Sequence, residues 1–408
     1  MGRAVHLLGG YQTDFARNWS REGWELMDGL RATIDAGLAA ARIDAHDVDT
    51  LHVGNFAAEL FCNQGHLGGL AAAAHPAFAG KPAARHEGAC ASGSLAALAA
   101  AAEIEAGRYE LAAVIGIEQM RNVSGDEAAK LIGAPAMWAG HECLDVRFPW
   151  PHMFSELIAE YDLRYGIETR HLARIAEINF ANARRNPNAQ TRRWQFGPSS
   201  FSADDAANPV IDGRIRKHDC GQITDGAAIV FLASEEFAQR HAARSGVPTA
   251  KIAGWGHRTA PIDYRSKIAA SREAPYVFPF VRATIDDAFK RAGVADVQAL
   301  DGIETHDCFT STEYMAIDHF GITPPGRSWW AIENGDIEIG GRIPINPSGG
   351  LIGLGHPVGA TGVRMLLDCW KQVTGQAGDY QIDGARRFGT LNVGGSATTT
   401  VSFIVSRD

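Results

Sequence analysis

The chain has 408 residues, 46% hydrophobic and 21% charged, with a formal net charge of −9 at pH 7. That length exceeds one simple core and implies two domains or two fused halves, while the acidic balance without a long basic run excludes nucleic acid as the main partner. Six scattered cysteines (Cys62, Cys90, Cys143, Cys220, Cys308, Cys369) lack C-x-x-C pairs and zinc-ligand spacing, no apolar run reaches membrane-span length, and MGRAVHLLGG lacks a signal-peptide core, which predicts a cytoplasmic, disulfide-free protein.

In chain order, Ala4 to Leu8 is expected as an opening strand, Glu25 to Ala41 as an amphipathic helix and Val48 to Val53 as a second strand. His86-Glu87-Gly88-Ala89-Cys90-Ala91-Ser92-Gly93-Ser94 then leads into an Ala-rich, helix-forming run to Glu103, which sets Cys90 at or near a helix N-terminus. The free N–H groups and partial positive charge there favour the thiolate, the nucleophilic form of cysteine. Leu111 to Ile117 follows as a short apolar strand, and the alternation indicates an α/β layered structure with a mostly parallel sheet.

Residues 121–217 break this rhythm. They hold a proline- and aromatic-rich piece (Phe148-Pro149-Trp150-Pro151-His152-Met153), a helix from about Ser155 to Tyr165 and another from about Thr169 to Arg184. Arginines cluster in the later part of this segment, at Arg170, Arg174, Arg184, Arg185, Arg192, Arg193, Arg214 and Arg216. Two readings stand, a lid offering positive charge to an anionic ligand and a solvated insertion whose arginines pair with local carboxylates. Thr224 to Leu232 then returns as a buried strand.

The second half opens at Ala250 to Gly256, with a helix near Tyr276 to Ala292 and a strand near Leu300 to Glu304 that delivers Thr305-His306-Asp307-Cys308-Phe309. Arg31-Ala32-Thr33-Ile34-Asp35-Ala36 recurs as Arg282-Ala283-Thr284-Ile285-Asp286-Asp287, a shift of 251 positions that also carries Asn55 onto His306. Two halves of one topology follow from this echo. The expected division is residues 1–120 with 218–245 as the first half, 121–217 as the inserted lid and 246–408 as the second half. A Gly-rich block from Asn346 to Gly362 leads into a helix to about Val373, and Thr390-Leu391-Asn392-Val393-Gly394-Gly395 precedes the last strand. The block lacks the P-loop lysine and the G-x-G-x-x-G spacing, so neither kind of nucleotide site is expected.

Taken together and in order, these pieces resemble the thiolase superfamily over nearly the whole chain except the lid. The Cys90 loop is similar to that family's nucleophile loop, and Gly355-His356-Pro357 with Gly359-Ala360-Thr361-Gly362 matches its G-H-P-x-G-x-[ST]-G block. His306-Asp307-Cys308-Phe309 resembles the H-D-C-F motif of the sterol-carrier-protein-type thiolases, where ordinary thiolases carry N-E-A-F. The chain departs from ordinary thiolases at their C-x-G motif, where Asn392 stands in place of the second catalytic cysteine; Cys308 compensates as the base of the H-D-C-F branch. The resemblance implies two duplicated βαβαβαββ halves in a five-layered α/β/α/β/α sandwich, a lid that binds coenzyme A, and at least a homodimer. It implies coenzyme A thioesters as substrates, with no metal and no permanently bound cofactor.

On this resemblance Cys90 is the nucleophile, His356 its activator and Cys308 the acid/base at the α-carbon, with His306 and His356 facing the enolate oxygen. The backbone N–H groups of Cys90 and Gly394 hold the thioester oxyanion, glycine at 394 letting the backbone approach the reacting carbonyl. A soft nucleophile, a proton shuttle and two oxyanion sites are what a thioester Claisen condensation or its reverse requires. Trp138, Trp150, Met153 and Phe154 line an acyl pocket or merely pack the lid. Three alternatives remain open: a decarboxylating ketoacyl-synthase-like enzyme, in which Cys308 has no task; an aldolase or acyltransferase subunit working with a small OB-fold partner; and a non-catalytic acyl-CoA-binding scaffold.

Overall fold

A computed structural model describes residues 3–407. Among them, β1 (Val5–Gln12), β2 (Thr50–Gly54), β3 (Ala83–His86), β4 (Leu111–Glu118), β5 (Gly226–Ser234), β6 (Ala250–Thr259), β7 (Gly302–Thr305), β8 (Arg387–Gly394) and β9 (Thr399–Ser406) hydrogen-bond in the order β3-β2-β4-β5-β1-β6-β9-β8-β7. The order is one pattern used twice, joined at β1/β6 by only two residue pairs, His6 with Lys251 and Leu7 with Ala250. In the first copy β3/β2 and β2/β4 are parallel while β4/β5 and β5/β1 are antiparallel. In the second, β7/β8 are parallel and β8/β9 and β9/β6 antiparallel, and a parallel bridge between Ile303 and Ile345 stands where the fifth strand would be. The sheet is therefore mixed rather than mostly parallel, because β5 and β9 each return antiparallel beside the strand before them.

The helices that frame the site are α1 (Leu26–Ala41), α2 (Leu67–Ala74), α3 (Ser92–Glu105), α4 (Gly125–Gly133), α5 (Pro149–Tyr165), α6 (Thr169–Ala183), α7 (Tyr264–Ala270), α8 (Pro279–Ala292), α9 (Thr310–Phe320) and α10 (Thr361–Thr374). The echoed hexapeptides fall in α1 and α8. Helices α3 and α10 pack on one another between the two sets of strands, α1 and α2 cover the outer face of the first set, and α8 and α9 that of the second. Five layers, α/β/α/β/α, result. A helix wedged between sheets tolerates only small side chains, which is the reason for the alanines of α3: Ala96, Ala97 and Ala100 have no exposure, and a Cβ on Gly93 would lie 2.6 Å from the Gly359 carbonyl oxygen.

The inserted segment is docked rather than loose. Met153, Phe154, Leu157 and Ile158 of α5 and Leu172, Ile175 and Ile178 of α6 are buried in the same cluster as α9, each burial contributing about 1.5–3 kcal/mol. Helix α5 starts at Pro149 instead of Ser155, since Pro149 and Pro151 occupy the first turn, where a missing N–H breaks no helical bond. Among the described residues no helix is long and apolar enough to cross a membrane.

Candidate active site

Cys90 sits in a 3-10 turn, Ala89–Ala91, immediately before α3. The turn is held open by its neighbours: Ala89 takes left-handed backbone (φ 51°), its N–H donates to Glu87 Oε1 at 2.6 Å, and Ser92 Oγ accepts from Gly88 N–H at 3.0 Å while donating to the Ala89 carbonyl at 2.6 Å. Strain of this kind persists only where the surroundings enforce it. The helix terminus does not produce a standing thiolate, however. Burial pushes the Cys90 thiol up to about 12, Glu118 and Glu87 add to the rise, and the backbone N–H groups of Gly395 and Cys90 offset only part of it. At neutral pH the resting form is the thiol, which needs a base.

One side-chain N or S atom from each of Cys90, His306 and His356 lies within 4.8 Å of the other two. The two rings meet edge to face, centroids 5.2 Å apart. Their tautomers follow from their partners. Asn392 Nδ2 must be the amide nitrogen because it donates to the Cys90 carbonyl at 3.0 Å; the same NH2 meets His306 Nδ1 at 3.2 Å, so Nδ1 accepts and the His306 proton is on Nε2. Thr361 donates its hydroxyl proton to the Pro357 carbonyl at 3.1 Å, so its oxygen accepts from His356 Nδ1 at 2.7 Å, which leaves His356 Nε2 with the lone pair. One imidazole is thus a base and the other a donor. Both are held neutral: burial and the Arg364 guanidinium bring His356 down to about 3, and burial, His356 and Arg364 bring His306 well below the usual histidine range. Arg364 has no exposure and bonds Glu304 at 2.6 Å and Asp368 at 3.3 Å.

Strand β7 ends at Thr305, and the next three residues separate by role. His306 turns toward Cys90. Asp307 turns away, accepting from Leu351 N–H at 2.5 Å and Ile352 N–H at 3.2 Å, and so anchors the turn that leads to His356; a Cβ on Gly350 (φ 61°) would lie 2.2 Å from Asp307 Oδ2. Cys308 stands just before α9, its thiol raised well above the ordinary cysteine value by burial and by Cys90. Cys90, His306, Cys308 and His356 all line one cavity of about 210 Å³. Its walls are apolar, with Met120, Ile132, Trp150, Phe154 and Phe309 among them.

Family models described as "Thiolase, N-terminal domain" and "Thiolase C-terminal domain-like" match residues 5–193 and 264–407. The acetyl-CoA acetyltransferase of Methanothermobacter thermautotrophicus is 30% identical over 412 residues, 99% of this chain and 100% of that protein. The chain belongs to the thiolase family. Sterol carrier protein 2 of Oryctolagus cuniculus is 28% identical over 415 residues, 97% of this chain and 71% of that protein. Among solved structures, the Ltp2-ChsH2(DUF35) aldolase superposes with a TM-score of 0.78 at 19% identity, covering 100% of this chain and 98% of that one, which is a likeness of fold.

The cavity bears on three readings of the sequence of this thiolase. Gly394 does not line the cavity; Gly395 does, beside Cys90, and its backbone N–H is placed to favour the Cys90 thiolate. Glycine is required at 394 for packing, since a Cβ there would meet the Gly88 carbonyl oxygen at 2.0 Å. None of these clustered lid arginines lines the cavity. Arg170 pairs with Glu168 and Glu333, Arg174 with Glu177 and Glu338, Arg192 with Asp14, Arg214 with Asp162 and Arg216 with Asp205, so most of their charge is spent on carboxylates. Of the four candidate pocket residues, Trp150 and Phe154 line the cavity, while Met153 faces another cleft and Trp138 is about half exposed.

Sequence reasoning treated Asn392 only as a lost cysteine and missed that it orients both Cys90 and His306. Nothing beside residue 392 signals this, because its partners lie 302 and 86 positions away. Ala91-Ser92-Gly93 and Ala360-Thr361-Gly362 form a second, looser echo, shifted by 269 positions, that pairs the Cys90 loop with the loop after His356 but does not reach Asn392.

Proposed function

We propose that this thiolase is an acyl-CoA C-acyltransferase, cleaving a 3-ketoacyl-CoA with coenzyme A, or running the reverse condensation on acetyl-CoA, through an acyl group carried on Cys90. The observation that carries the reading is that Cys90, Cys308 and two neutral histidines of opposite tautomer face one apolar cavity. In the cleavage direction Cys90 Sγ attacks the ketone carbon as its proton passes to His356 Nε2. The bond between the α- and β-carbons breaks, the enolate oxygen of the departing acetyl-CoA takes a hydrogen bond from His306 Nε2–H, and the Cys308 thiol gives its proton to the α-carbon. Coenzyme A then attacks the acyl-cysteine; its thiol proton restores Cys308, and the Cys90 thiolate leaves and regains its proton from His356. The N–H groups of Cys90 and Gly395 hold the oxyanion in both half-reactions, each such donor contributing a rate factor of about 10²–10³.

The raised pKa of Cys308 supports its starting as a proton donor. We place the protein in a reducing compartment as a homo-oligomer, the first on the strength of six unpaired cysteines. An aldolase working with a small OB-fold partner is the second reading, favoured by the fold likeness to the Ltp2-ChsH2(DUF35) aldolase. Thiolysis assayed across 3-ketoacyl-CoA chain lengths tests the choice. Coenzyme A-dependent cleavage is expected; no cleavage at any length, or activity only when a second polypeptide is added, would remove the stand-alone thiolase reading.

A further inference from the structure

The turn between β8 and β9 carries the Gly395 N–H, and its shape is unusual. Gly395 (φ 64°) and Ala397 (φ 60°) both take left-handed backbone, and the Thr398 N–H bonds back to the Gly394 carbonyl at 3.0 Å. An alanine in that conformation is held there by its surroundings. Lys267 supplies the hold. It lies in α7, is only 6% exposed, and its Nζ donates to Ser396 Oγ at 2.6 Å and to Thr398 Oγ1 at 2.9 Å, one residue to either side of Ala397. Glu142 and Asp263 are the carboxylates that act on it, but they are engaged in capping α7, accepting from Tyr264 N–H at 2.8 Å and Ser266 N–H at 2.7 Å. Burial brings the Lys267 amine down to about 7. A buried amine aimed at two hydroxyls of a single turn is a cost that packing alone does not explain, because an apolar side chain would fill the same space without desolvating a polar group.

We infer that Lys267 is a positioning residue for the oxyanion site. By tying Ser396 and Thr398 to α7 it fixes the turn so that the Gly395 N–H faces the Cys90 sulfur and the oxygen of an acyl group bound there. The inference rests on the acyl-cysteine reading. A donor displaced by about 1 Å can lose on the order of 10²-fold in rate while leaving ground-state binding intact.

Lys267→Met is therefore expected to lower the kcat of thiolysis about 10- to 100-fold with KM within about threefold. Ser396→Ala, which removes one acceptor, should lower kcat less, and the Lys267→Met/Ser396→Ala double variant should lose no more than Lys267→Met alone, since both act through one contact. Wild-type kcat in Lys267→Met, or losses that multiply in the double variant, overturns the inference. Should Lys267→Met fail to fold, Ser396→Ala and Thr398→Val decide: reduced kcat at constant KM supports it, and wild-type kcat in both overturns it. Mass spectrometry of the wild-type protein mixed with acetyl-CoA separates the two levels, because absence of an acyl-Cys90 defeats the parent reading, whereas its presence with unimpaired Lys267→Met defeats only the role of Lys267.

Discussion

At equivalent ends of β2 and β7 the first half carries Asn55 and the second His306, and the two side chains have opposite fates. Asn55 Nδ2 is consumed by the Ile117 carbonyl and by Glu118, both at 2.8 Å, and Glu118 in turn accepts from the Phe56, Ala57 and Gly359 N–H groups. His306 is instead turned toward Cys90 by a single bond from Asn392. The cross-links between halves mirror one another: Glu118, at the end of β4, holds the backbone of Gly359, and Asn392, near the end of β8, holds the backbone of Cys90, which the second echo makes the counterpart of Gly359. In the first half this network is saturated and serves the fold. In the second it is left with an N–H donor, a lone pair and a thiol facing a cavity, and these are the groups available for chemistry.

Breaking the second half should cost rate, and breaking the first should cost stability. The largest effect is expected from Cys308→Ala, which should reduce thiolysis about 10²- to 10⁴-fold while acyl transfer onto Cys90 survives, as read by steady-state assay and intact mass. Asn392→Ala should come next, about 10- to 100-fold in kcat, because His306 is then free to place its proton on Nδ1 and present a lone pair where a donor is needed. Glu118→Gln sharpens the contrast: an amide NH2 set among four donors should lower stability by about 1–3 kcal/mol in urea denaturation and leave kcat within about threefold.

The smallest effect is on pH-dependent stability, and both halves contribute. Burial brings His86 down to about 4 and His356 to about 3, and lowers His52 and His306 as well. The folded state therefore binds fewer protons than the unfolded chain below about pH 6.5, so the stability these histidines contribute is present above that pH and lost as pH falls toward their folded values. Burial raises Glu118 and Glu304 to about 7 and Asp307 to about 6, and these carboxyls act in the opposite sense over the same range. The histidine contribution is therefore read as a difference: the Tm of His86→Gln should fall less between pH 6.5 and 5 than that of the wild type, and equal falls would show that His86 is not buried neutral.

The layered fold and the two sulfurs were legible in the amino-acid order because each rests on a local signal: the repeat shared by α1 and α8, the small-residue loop around Cys90, the H-D-C-F run after β7 and the Gly-rich block before α10. What was not legible depends on contacts made by distant segments. Which of two adjacent glycines faces Cys90 is decided by the left-handed turn and by Lys267, more than a hundred residues away. The lid arginines stood open to two readings because, beside local partners such as Glu168 and Glu177, the partners Asp14, Glu333 and Glu338 lie far from them in sequence. The thiolate expected at a helix N-terminus was overridden by burial and by Glu118, neither of which leaves a mark beside residue 90.

The most direct test of a two-sulfur site is rapid quenching of the wild-type and Cys308→Ala proteins after mixing with acetyl-CoA, followed by peptide mass spectrometry. The expected result is an acetyl group on Cys90 in both proteins, with turnover of 3-ketoacyl-CoA only in the wild type. An unmodified Cys90, an acetyl group on another cysteine, or wild-type turnover without Cys308 would contradict it.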